Sequence, residues 1–199
     1  MKDQIKVVLF DVDGVVVDSE MFSLQYSKKF GINNEEMLPF FKGVFQDCII
    51  GKADLKEEVK PWLKKWKWDK SAKDFLNFWF RSEHNIDDML VDQVEKLRAS
   101  GIRCYLATKQ EKYRTKYMRE EMGFDNIFDG IFSSSEIGYK KPDEKFFQKI
   151  LDELGIQGEE ALFFDDEIEN VEGAKSLGIK GFLYTGFDEF KKELDKFLK

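Results

Sequence analysis

Two aspartates, Asp11 and Asp13, follow a short apolar run near the start of the chain. Carboxylates placed two residues apart can bind a cation, transfer a proton, or act as a nucleophile. Gly14 follows at once, where a sharp turn could bring backbone N–H groups close to a bound anion such as a phosphate. Aspartates that follow a strand can also simply cap a turn, and this stretch alone does not separate the two interpretations.

Three later positions add polar groups at the ends of predicted strands or in the adjoining loops: Thr108, Lys141 and the pair Asp165-Asp166. Because the carboxyl ends of parallel strands meet at one edge of a sheet, these groups should converge on Asp11 and Asp13. Together they suit phosphoryl transfer. One carboxylate can act as the nucleophile and a second as acid and base, a hydroxyl and an ammonium can bind phosphate oxygens, and further carboxylates can bind Mg²⁺.

The elements that must position these groups alternate between strand and helix. The apolar run 7–10 has no alternation, which is typical of a strand buried on both faces. Further strands are predicted at Cys104–Thr108, Gly130–Ser133, Ala161–Phe164 and Lys180–Tyr184. Helices are predicted at Leu90–Ser100, Glu111–Met122, Asp143–Leu154, Asn170–Leu177 and Phe187–Leu198. Short connections between alternating strands and helices predict the α/β class with a doubly wound parallel sheet.

The segment 18–87 has no strand pattern and predicts a small inserted all-helical domain, with 1–17 and 88–199 forming the core. Its helices are predicted at 18–30, 35–44, 54–66 and 71–81. The segment is rich in aromatic residues, and Phe75, Phe78 and Trp79 have the i, i+3, i+4 spacing of one helix face. These rings should form the segment's own core, while a few could line a substrate pocket.

Composition narrows the classes of function. A formal net charge of −7 disfavours a general nucleic-acid binder. The lysines of 52–73 alternate with acidic residues and are interpreted as a solvated face rather than a binder of phosphate backbones. No apolar run approaches the roughly 20 residues that span a bilayer, and Asp11 and Asp13 interrupt the first apolar segment, which argues against a signal peptide.

The histidine and cysteine content narrows the classes of function further. His84 is the only histidine, which excludes histidine nucleophiles and multi-histidine metal sites. Cys48 and Cys104 lack a CxxC spacing and are expected to be reduced thiols in a cytoplasmic protein.

Four motifs, in order and spacing, resemble those of the haloacid dehalogenase superfamily. They are Asp11-Val12-Asp13-Gly14-Val15, Leu106-Ala107-Thr108, Gly138-Tyr139-Lys140-Lys141-Pro142-Asp143 and the stretch from Phe163 to Ala174 with its paired aspartates. The helical segment also lies where this family places its helical cap of the first type. The resemblance implies a Rossmann-like core in which Asp11 is the nucleophile, Asp13 the general acid and base, and Thr108 and Lys141 bind the phosphate.

The same resemblance implies a magnesium site. The side chains of Asp11 and Asp166 and the backbone carbonyl of Asp13 would hold the ion. Asp165 would bind it directly or support the site, and Asn170 would hold the site through hydrogen bonds.

Two residues depart from the family's usual pattern. Lys109 replaces the asparagine that usually follows the second-motif hydroxyl, and its charge could contact the phosphate or point to solvent. Asn170 replaces a second aspartate found in many members, which reduces the negative charge near the metal. Dehalogenases of this fold lack an aspartate at the position of Asp13 and need no Mg²⁺, so its presence favours phosphate esters over carbon–halogen bonds.

The resemblance therefore implies a Mg²⁺-dependent phosphatase that hydrolyses a small phosphorylated metabolite through an aspartyl-phosphate. The alternatives are a phosphomutase or phosphotransferase with the same residues, or a non-catalytic protein that binds a partner through its aromatic segment. Ser19, Glu20 and Lys52 are candidates for contacting the substrate.

Overall fold

The computed structural model describes residues 4–197, and within them five strands form one sheet. The strands are β1 (Val7–Phe10), β2 (Arg103–Thr108), β3 (Gly130–Ser133), β4 (Ala161–Asp165) and β5 (Lys180–Leu183). Neighbouring strands run parallel in the order β3-β2-β1-β4-β5, which places β1 at the centre. All four residues of β1 are fully buried, as a strand covered on both faces requires.

The strand register aligns the functional positions at one edge of the sheet. Phe10 lies opposite Leu106 of β2 on one side and Phe164 of β4 on the other. Asp11 is the next residue after Phe10, and Asp165 is the next residue after Phe164. Asp11 and Asp165 therefore lie beside each other at this edge of the sheet.

Helices cover both faces of this sheet. From residue 88 onward the helices are α7 (Asp88–Ala99), α8 (Lys112–Glu120), α9 (Phe124–Ile127), α10 (Ser134–Ile137), α11 (Glu144–Leu154), α12 (Ile168–Lys175) and α13 (Phe187–Leu194). A 3₁₀ turn lies at Gly158–Glu160. Val8 and Phe10 pack with buried residues of α7 and α13, whereas Val7 and Leu9 pack with those of α11. Because alternate residues of β1 enter different cores, the sheet is doubly wound, as predicted.

Six helices lie between β1 and α7: α1 (Phe22–Phe30), α2 (Asn34–Lys42), α3 (Phe45–Ile49), α4 (Leu55–Glu58), α5 (Lys60–Leu63) and α6 (Ala72–Ser82). Their aromatic side chains form a separate cluster, in which Phe22, Tyr26, Phe40, Trp66 and Phe75 are buried. The hydroxyl of Tyr26 donates to the carbonyl of Trp66 at 2.7 Å. The rings thus pack mainly against one another.

The two ends of this helical segment meet beside the loop that follows β1. The N–H of Asp18 donates to the carbonyl of Asn85 at 3.0 Å, and the N–H of Asp87 donates to that of Val16 at 2.9 Å. Val17 and Ile86 form an antiparallel bridge between them. The chain therefore leaves the sheet and returns to it at one place.

Two predicted helices differ in the structure. The helix expected at 18–30 begins only at Phe22, whose N–H donates to the carboxylate of Glu83 at 3.0 Å. The helix expected at 54–66 is divided into α4 and α5 because Pro61, in the first turn of α5, has no N–H to continue the hydrogen-bond ladder.

Other differences are smaller. The short helices α3, α9 and α10 were not predicted because four or five residues carry too little periodicity. Helix α13 ends at Leu194, and Leu198, its predicted end, lies outside the described residues. Among residues 4–197, no helix is both long enough and apolar enough to cross a membrane.

Candidate active site

Asp11 is the first residue after β1, and its side chain turns into the protein. Its Oδ1 accepts a hydrogen bond from the N–H of Val12 at 2.7 Å and lies 2.8 Å from Nζ of Lys141. Burial raises the pKa of this carboxyl to about 7, since the lowering effect of Lys141 is opposed by the nearby charge of Asp165. A carboxylate in this position gains from any further positive charge that binds beside it.

Lys141 joins the two central carboxylates. Its ammonium lies 2.5 Å from Oδ2 of Asp165 as well as beside Asp11, and the side chain is fully buried. Burial alone would lower the pKa of this lysine, but the two carboxylates outweigh it and hold the pKa above its usual value. The ammonium is therefore charged and fixed between two strand ends before any substrate binds.

A glycine on α12 allows the loop that carries Lys141 to come close. A Cβ at Gly173 would lie only 2.4 Å from the carbonyl oxygen of Pro142, the residue after Lys141. This close packing between α12 and the loop explains how the lysine reaches β4.

Three carboxylates form a cluster that fits a hard metal ion. Oxygens of Asp11, Asp165 and Asp166 lie within 4.8 Å of one another, and Asp166 is exposed. Burial, followed by the charges of Asp165 and Glu167, raises the pKa of Asp166. Three acidic groups around one lysine leave an excess of negative charge, and oxygen donors of this kind suit Mg²⁺.

Gly14 lies at a sharp turn, as predicted, and it also permits a close approach that the sequence did not indicate. Its own N–H donates to the carbonyl of Val17 at 2.9 Å, and a contact between this loop and a phosphate stays a prediction. A Cβ at this position, where φ is +79°, would lie 2.2 Å from Oδ2 of Asp166. Glycine is required here so that Asp166 can approach the loop after β1.

Asp165 is held in place by the first turn of α12, the helix that follows β4. Its Oδ1 accepts hydrogen bonds from the N–H of Glu167 at 2.8 Å and from the side-chain amide of Asn170 at 2.9 Å. Asn170 also donates to Glu167 at 3.0 Å, and its own buried oxygen has no partner within residues 4–197. Asn170 thus supports the carboxylate cluster through Asp165.

The side chain of Lys109 is half-buried, and within residues 4–197 it forms no ion pair with Asp11. Its ammonium pairs with the carboxylate of Glu167, so it links the end of β2 to the end of β4. The sequence did not indicate this ion pair, and a contact of Lys109 with a phosphate stays a prediction.

Asp13 lies in the loop rather than on the strand, because β1 ends at Phe10. The side chain is exposed, and its Oδ2 accepts a hydrogen bond from Nε2 of Gln110 at 2.6 Å. Thr108, the last residue of β2, is buried opposite Ser133 of β3. Sequence reasoning missed Gln110, although its place two residues after Thr108 was available as a signal.

The helical segment contacts the loops around this site. The hydroxyl of Ser134 donates to the carbonyl of Ile49 at 2.7 Å, and a Cβ at Gly51 would lie 2.6 Å from the carbonyl oxygen of Ser135. Lys140, directly before Lys141, pairs with the side-chain oxygen of Gln46.

A second set of contacts involves Asp54. Its carboxylate accepts from Lys112 at 2.7 Å and from the hydroxyl of Tyr113 at 2.9 Å, both at the start of α8. Residues 46–54 are thereby attached to α8, which follows β2, and to α10 and the loop after it, which follow β3.

The three predicted substrate residues form no hydrogen bond or ion pair with the side chains of Asp11 or Asp13 within residues 4–197. Glu20 pairs with Lys28 at 2.5 Å on the surface, and Lys52 is exposed. Ser19 is half-buried. A role of these three residues in substrate binding stays a prediction.

The arrangement brings together the parts that acyl-phosphate chemistry needs. Asp11 is a carboxylate paired with a buried ammonium, and Asp13 is a second carboxylate that is open to solvent. A nucleophile and a separate proton-transfer group on one loop can form and then hydrolyse a covalent intermediate.

Comparisons with known proteins agree with this geometry. The family model described as haloacid dehalogenase-like hydrolase matches residues 5–178. A sesquiterpene phosphatase from Aspergillus oryzae is 30% identical over 99 residues, which cover 50% of this chain and 50% of that protein. A pyrophosphatase from Bacillus cereus is 22% identical over 191 residues, with 89% of this chain and 82% of that protein covered.

A solved structure extends the similarity to the fold. A HAD family enzyme from Bacteroides thetaiotaomicron, in complex with magnesium and inorganic phosphate, superposes with a TM-score of 0.77 and 23% identity. The superposition covers 92% of this chain and 96% of that one. The chain nevertheless spans about half or less of the length of the first curated relatives that it matches.

Proposed function

This chain belongs to the haloacid dehalogenase-like hydrolases, and we propose that it is a Mg²⁺-dependent phosphatase that hydrolyses a small phosphorylated metabolite. The observation that carries the proposal is the 2.8 Å contact between Asp11 and the buried ammonium of Lys141, with Asp13 open to solvent two residues away. Lys141 lowers the pKa of the nucleophile against the effect of burial and can stabilise charge on the phosphoryl oxygens.

The reaction proceeds in two steps. A carboxylate oxygen of Asp11 attacks phosphorus, the ester P–O bond breaks, and Asp13 donates its proton to the departing alkoxide. Asp13, now ionised, accepts a proton from the water that attacks the aspartyl-phosphate, which releases inorganic phosphate and restores both residues. Lys141 and Thr108 hold phosphate oxygens during both steps.

The metal would be held by the side chains of Asp11 and Asp166 and by the carbonyl of Asp13, while Asp165 would bind it directly or support the site. The excess negative charge of the carboxylate cluster fits such an ion. When bound, Mg²⁺ supplies positive charge that offsets repulsion between the anionic nucleophile and the phosphate.

The segment 18–87 acts in this proposal as a cap on the core formed by 1–17 and 88–199. The contacts of Ser134 with Ile49 and of Lys112 with Asp54 support that role, because they attach the segment to loops around the site. A cap excludes bulky macromolecules, which favours a small substrate.

The names of the relatives support phosphate chemistry. One is a sesquiterpene phosphatase, another is a pyrophosphatase, and the solved relative binds magnesium and inorganic phosphate. A cytoplasmic location is part of the proposal and is supported by the two buried free thiols, Cys48 and Cys104.

The test uses p-nitrophenyl phosphate with Mg²⁺. Turnover should be abolished by EDTA and restored by added Mg²⁺, and acid-quenched protein should carry covalent phosphate. Asp11→Asn should give no turnover and no covalent phosphate, while Asp125→Asn, an exposed control, should keep both. Covalent phosphate on the Asp11→Asn protein, or turnover that is unaffected by EDTA, would contradict the proposal.

A further inference from the structure

Gln110 makes the one side-chain hydrogen bond that the described residues offer to the carboxylate of Asp13. Nε2 of Gln110 lies 2.6 Å from Oδ2 of Asp13, across 97 residues of sequence. An amide nitrogen can only donate, so Nε2 donates to this oxygen of Asp13. We propose that Gln110 is a positioning residue that holds Asp13 in the orientation needed for proton transfer, an inference that rests on the proposed function.

Asp13 needs such support because, among residues 4–197, no other side chain forms a hydrogen bond with its carboxylate. The residue is exposed and lies in a loop, where its side chain can rotate among several staggered conformations. Proton transfer requires the carboxylate within hydrogen-bond distance of the departing oxygen and then of the attacking water. A donor that fixes one carboxylate oxygen leaves the other free to face the substrate.

Gln110 is itself firmly held. It is only 8% exposed, and its backbone carbonyl accepts from the N–H of Ser135 at 3.2 Å and lies 3.3 Å from the hydroxyl of Ser134. A buried side chain on a fixed backbone can orient a neighbour with little further loss of conformational entropy.

The same serines connect Gln110 to the helical segment. The hydroxyl of Ser134 has a single proton, which it donates to the carbonyl of Ile49 at 2.7 Å, a shorter contact than that with Gln110. The position of Gln110, and through it the orientation of Asp13, therefore depends on α10, against which the segment packs.

The experiment compares two substrates that differ in the need for a proton. The p-nitrophenolate leaving group departs without protonation, whereas the phenolate of phenyl phosphate is more basic and depends on the acid. Gln110→Met keeps the size of the side chain and removes the donor. It should lower kcat/KM for phenyl phosphate by about ten-fold or more and for p-nitrophenyl phosphate by less than about three-fold.

A double-mutant cycle separates positioning from general damage. If Gln110 acts through Asp13, the double variant Asp13→Asn/Gln110→Met should have the same kcat/KM for phenyl phosphate as Asp13→Asn alone, within about two-fold. Gln93→Met, which alters a similarly buried glutamine on α7, is the matched control and should preserve both rates. Gln110→Asn, whose amide is one methylene too short, provides a second test should the methionine variant fail to fold.

The outcomes distinguish this inference from the proposed function. Equal losses for both substrates in Gln110→Met and Gln110→Asn, or losses that multiply in the double variant, would overturn the positioning role. If Asp13→Asn itself shows no dependence on the leaving group, the acid and base role of Asp13 fails and the positioning role fails with it. A normal Asp13→Asn effect with an unaffected Gln110→Met overturns the inference alone.

Discussion

Nζ of Lys141 lies 2.5 Å from Oδ2 of Asp165, and neither side chain has any exposed surface. A buried ion pair is costly to break from one side, because the remaining charge is left without a partner in the protein interior. Asp165 also accepts the N–H of Glu167 and the amide of Asn170, which complete its hydrogen bonds. The pair therefore fixes the lysine beside Asp11 and ties the loop of Lys141 to β4.

Replacement of Lys141 should damage both activity and stability. Lys141→Ala should lower kcat/KM by at least about ten-fold, since a charge-assisted contact contributes about 1.5–3 kcal/mol to binding of the transition state. It should also lower the free energy of unfolding by about 3 kcal/mol, because Asp11 and Asp165 lose their common partner. Steady-state kinetics and urea unfolding measure the two effects.

Lys140→Ala is the matched control for that variant. Its half-buried side chain contacts Gln46 and neither of the central carboxylates. The activity loss should be several-fold smaller than for Lys141→Ala. Equal losses at the two positions would mean that the ammonium of Lys141 does not act on the phosphate.

The central sheet could be predicted because parallel strands buried on both faces are continuous apolar runs. The run 7–10 is one such strand, and a polar side chain follows it directly. Asp11, Asp165 and Asp166 could be expected at one edge for the same reason, since the edge is a property of strand direction and not of detailed packing.

The contacts that orient these groups could not be predicted. Gln110 and Asp13 are 97 residues apart, and Lys109 and Glu167 are 58 residues apart. Local periodicity contains no information about which distant side chains meet. The close approach of Asp166 to Gly14 could not be predicted for the same reason, because Asp166 follows β4, far along the chain from Gly14.

Gly14→Ala should weaken Mg²⁺ binding by displacing Asp166. A Cβ would lie 2.2 Å from Oδ2 of Asp166, and the backbone has a positive φ that alanine adopts poorly. Gly101→Ala imposes similar backbone strain at φ +88° but meets no atom within 4 Å, which makes it a matched control. The Mg²⁺ concentration for half-maximal turnover should rise several-fold in Gly14→Ala and stay unchanged in Gly101→Ala.

Asp166→Ala provides the comparison for that shift. It removes the displaced carboxylate itself, so its Mg²⁺ requirement should rise at least as much as that of Gly14→Ala, or turnover should be lost. If Gly14→Ala keeps the parental Mg²⁺ requirement, or has the same Mg²⁺ requirement as Gly101→Ala, Asp166 does not bind the ion from this position.

Arg114 should contribute strongly to stability. The residue is only 2% exposed. Its guanidinium donates to the carbonyl of Phe80 at 2.8 Å and lies 4.0 Å from the carboxylate of Glu83. Arg114→Met would leave Glu83 without its nearby cation and the end of α6 without a donor, and we expect a loss of about 3 kcal/mol in the free energy of unfolding. Arg119→Met, on the same helix but with partly exposed ion pairs to Asp125 and Glu136, should cost about 1 kcal/mol or less. Similar losses in the two variants would contradict the assigned importance of burial.

Glu111, the N-cap of helix α8, should make the stability of the fold depend on pH. Its side chain is 2% exposed and accepts the N–H groups of Tyr113 at 2.8 Å and Arg114 at 2.5 Å. Burial raises the pKa of Glu111 to about 7 although these two N–H groups lower it. The folded protein therefore binds a proton at this carboxyl over a range of pH in which the unfolded chain, with the ordinary value of 4.5, has released it.

The sign of the effect on stability follows from that difference. Because the folded state binds more protons between about pH 4.5 and 7, the contribution of Glu111 to the free energy of unfolding falls as the pH rises through this range. The full difference is of order 3 kcal/mol, from about 1.4 kcal/mol for each unit of pKa. Glu111→Gln removes the titration, so the change in free energy of unfolding between pH 5 and pH 8 should shrink in the variant. Exposed Glu121→Gln is the control and should follow the parental pH dependence in urea unfolding. A Glu111→Gln protein that keeps the whole parental change would show that this carboxyl does not bind the extra proton.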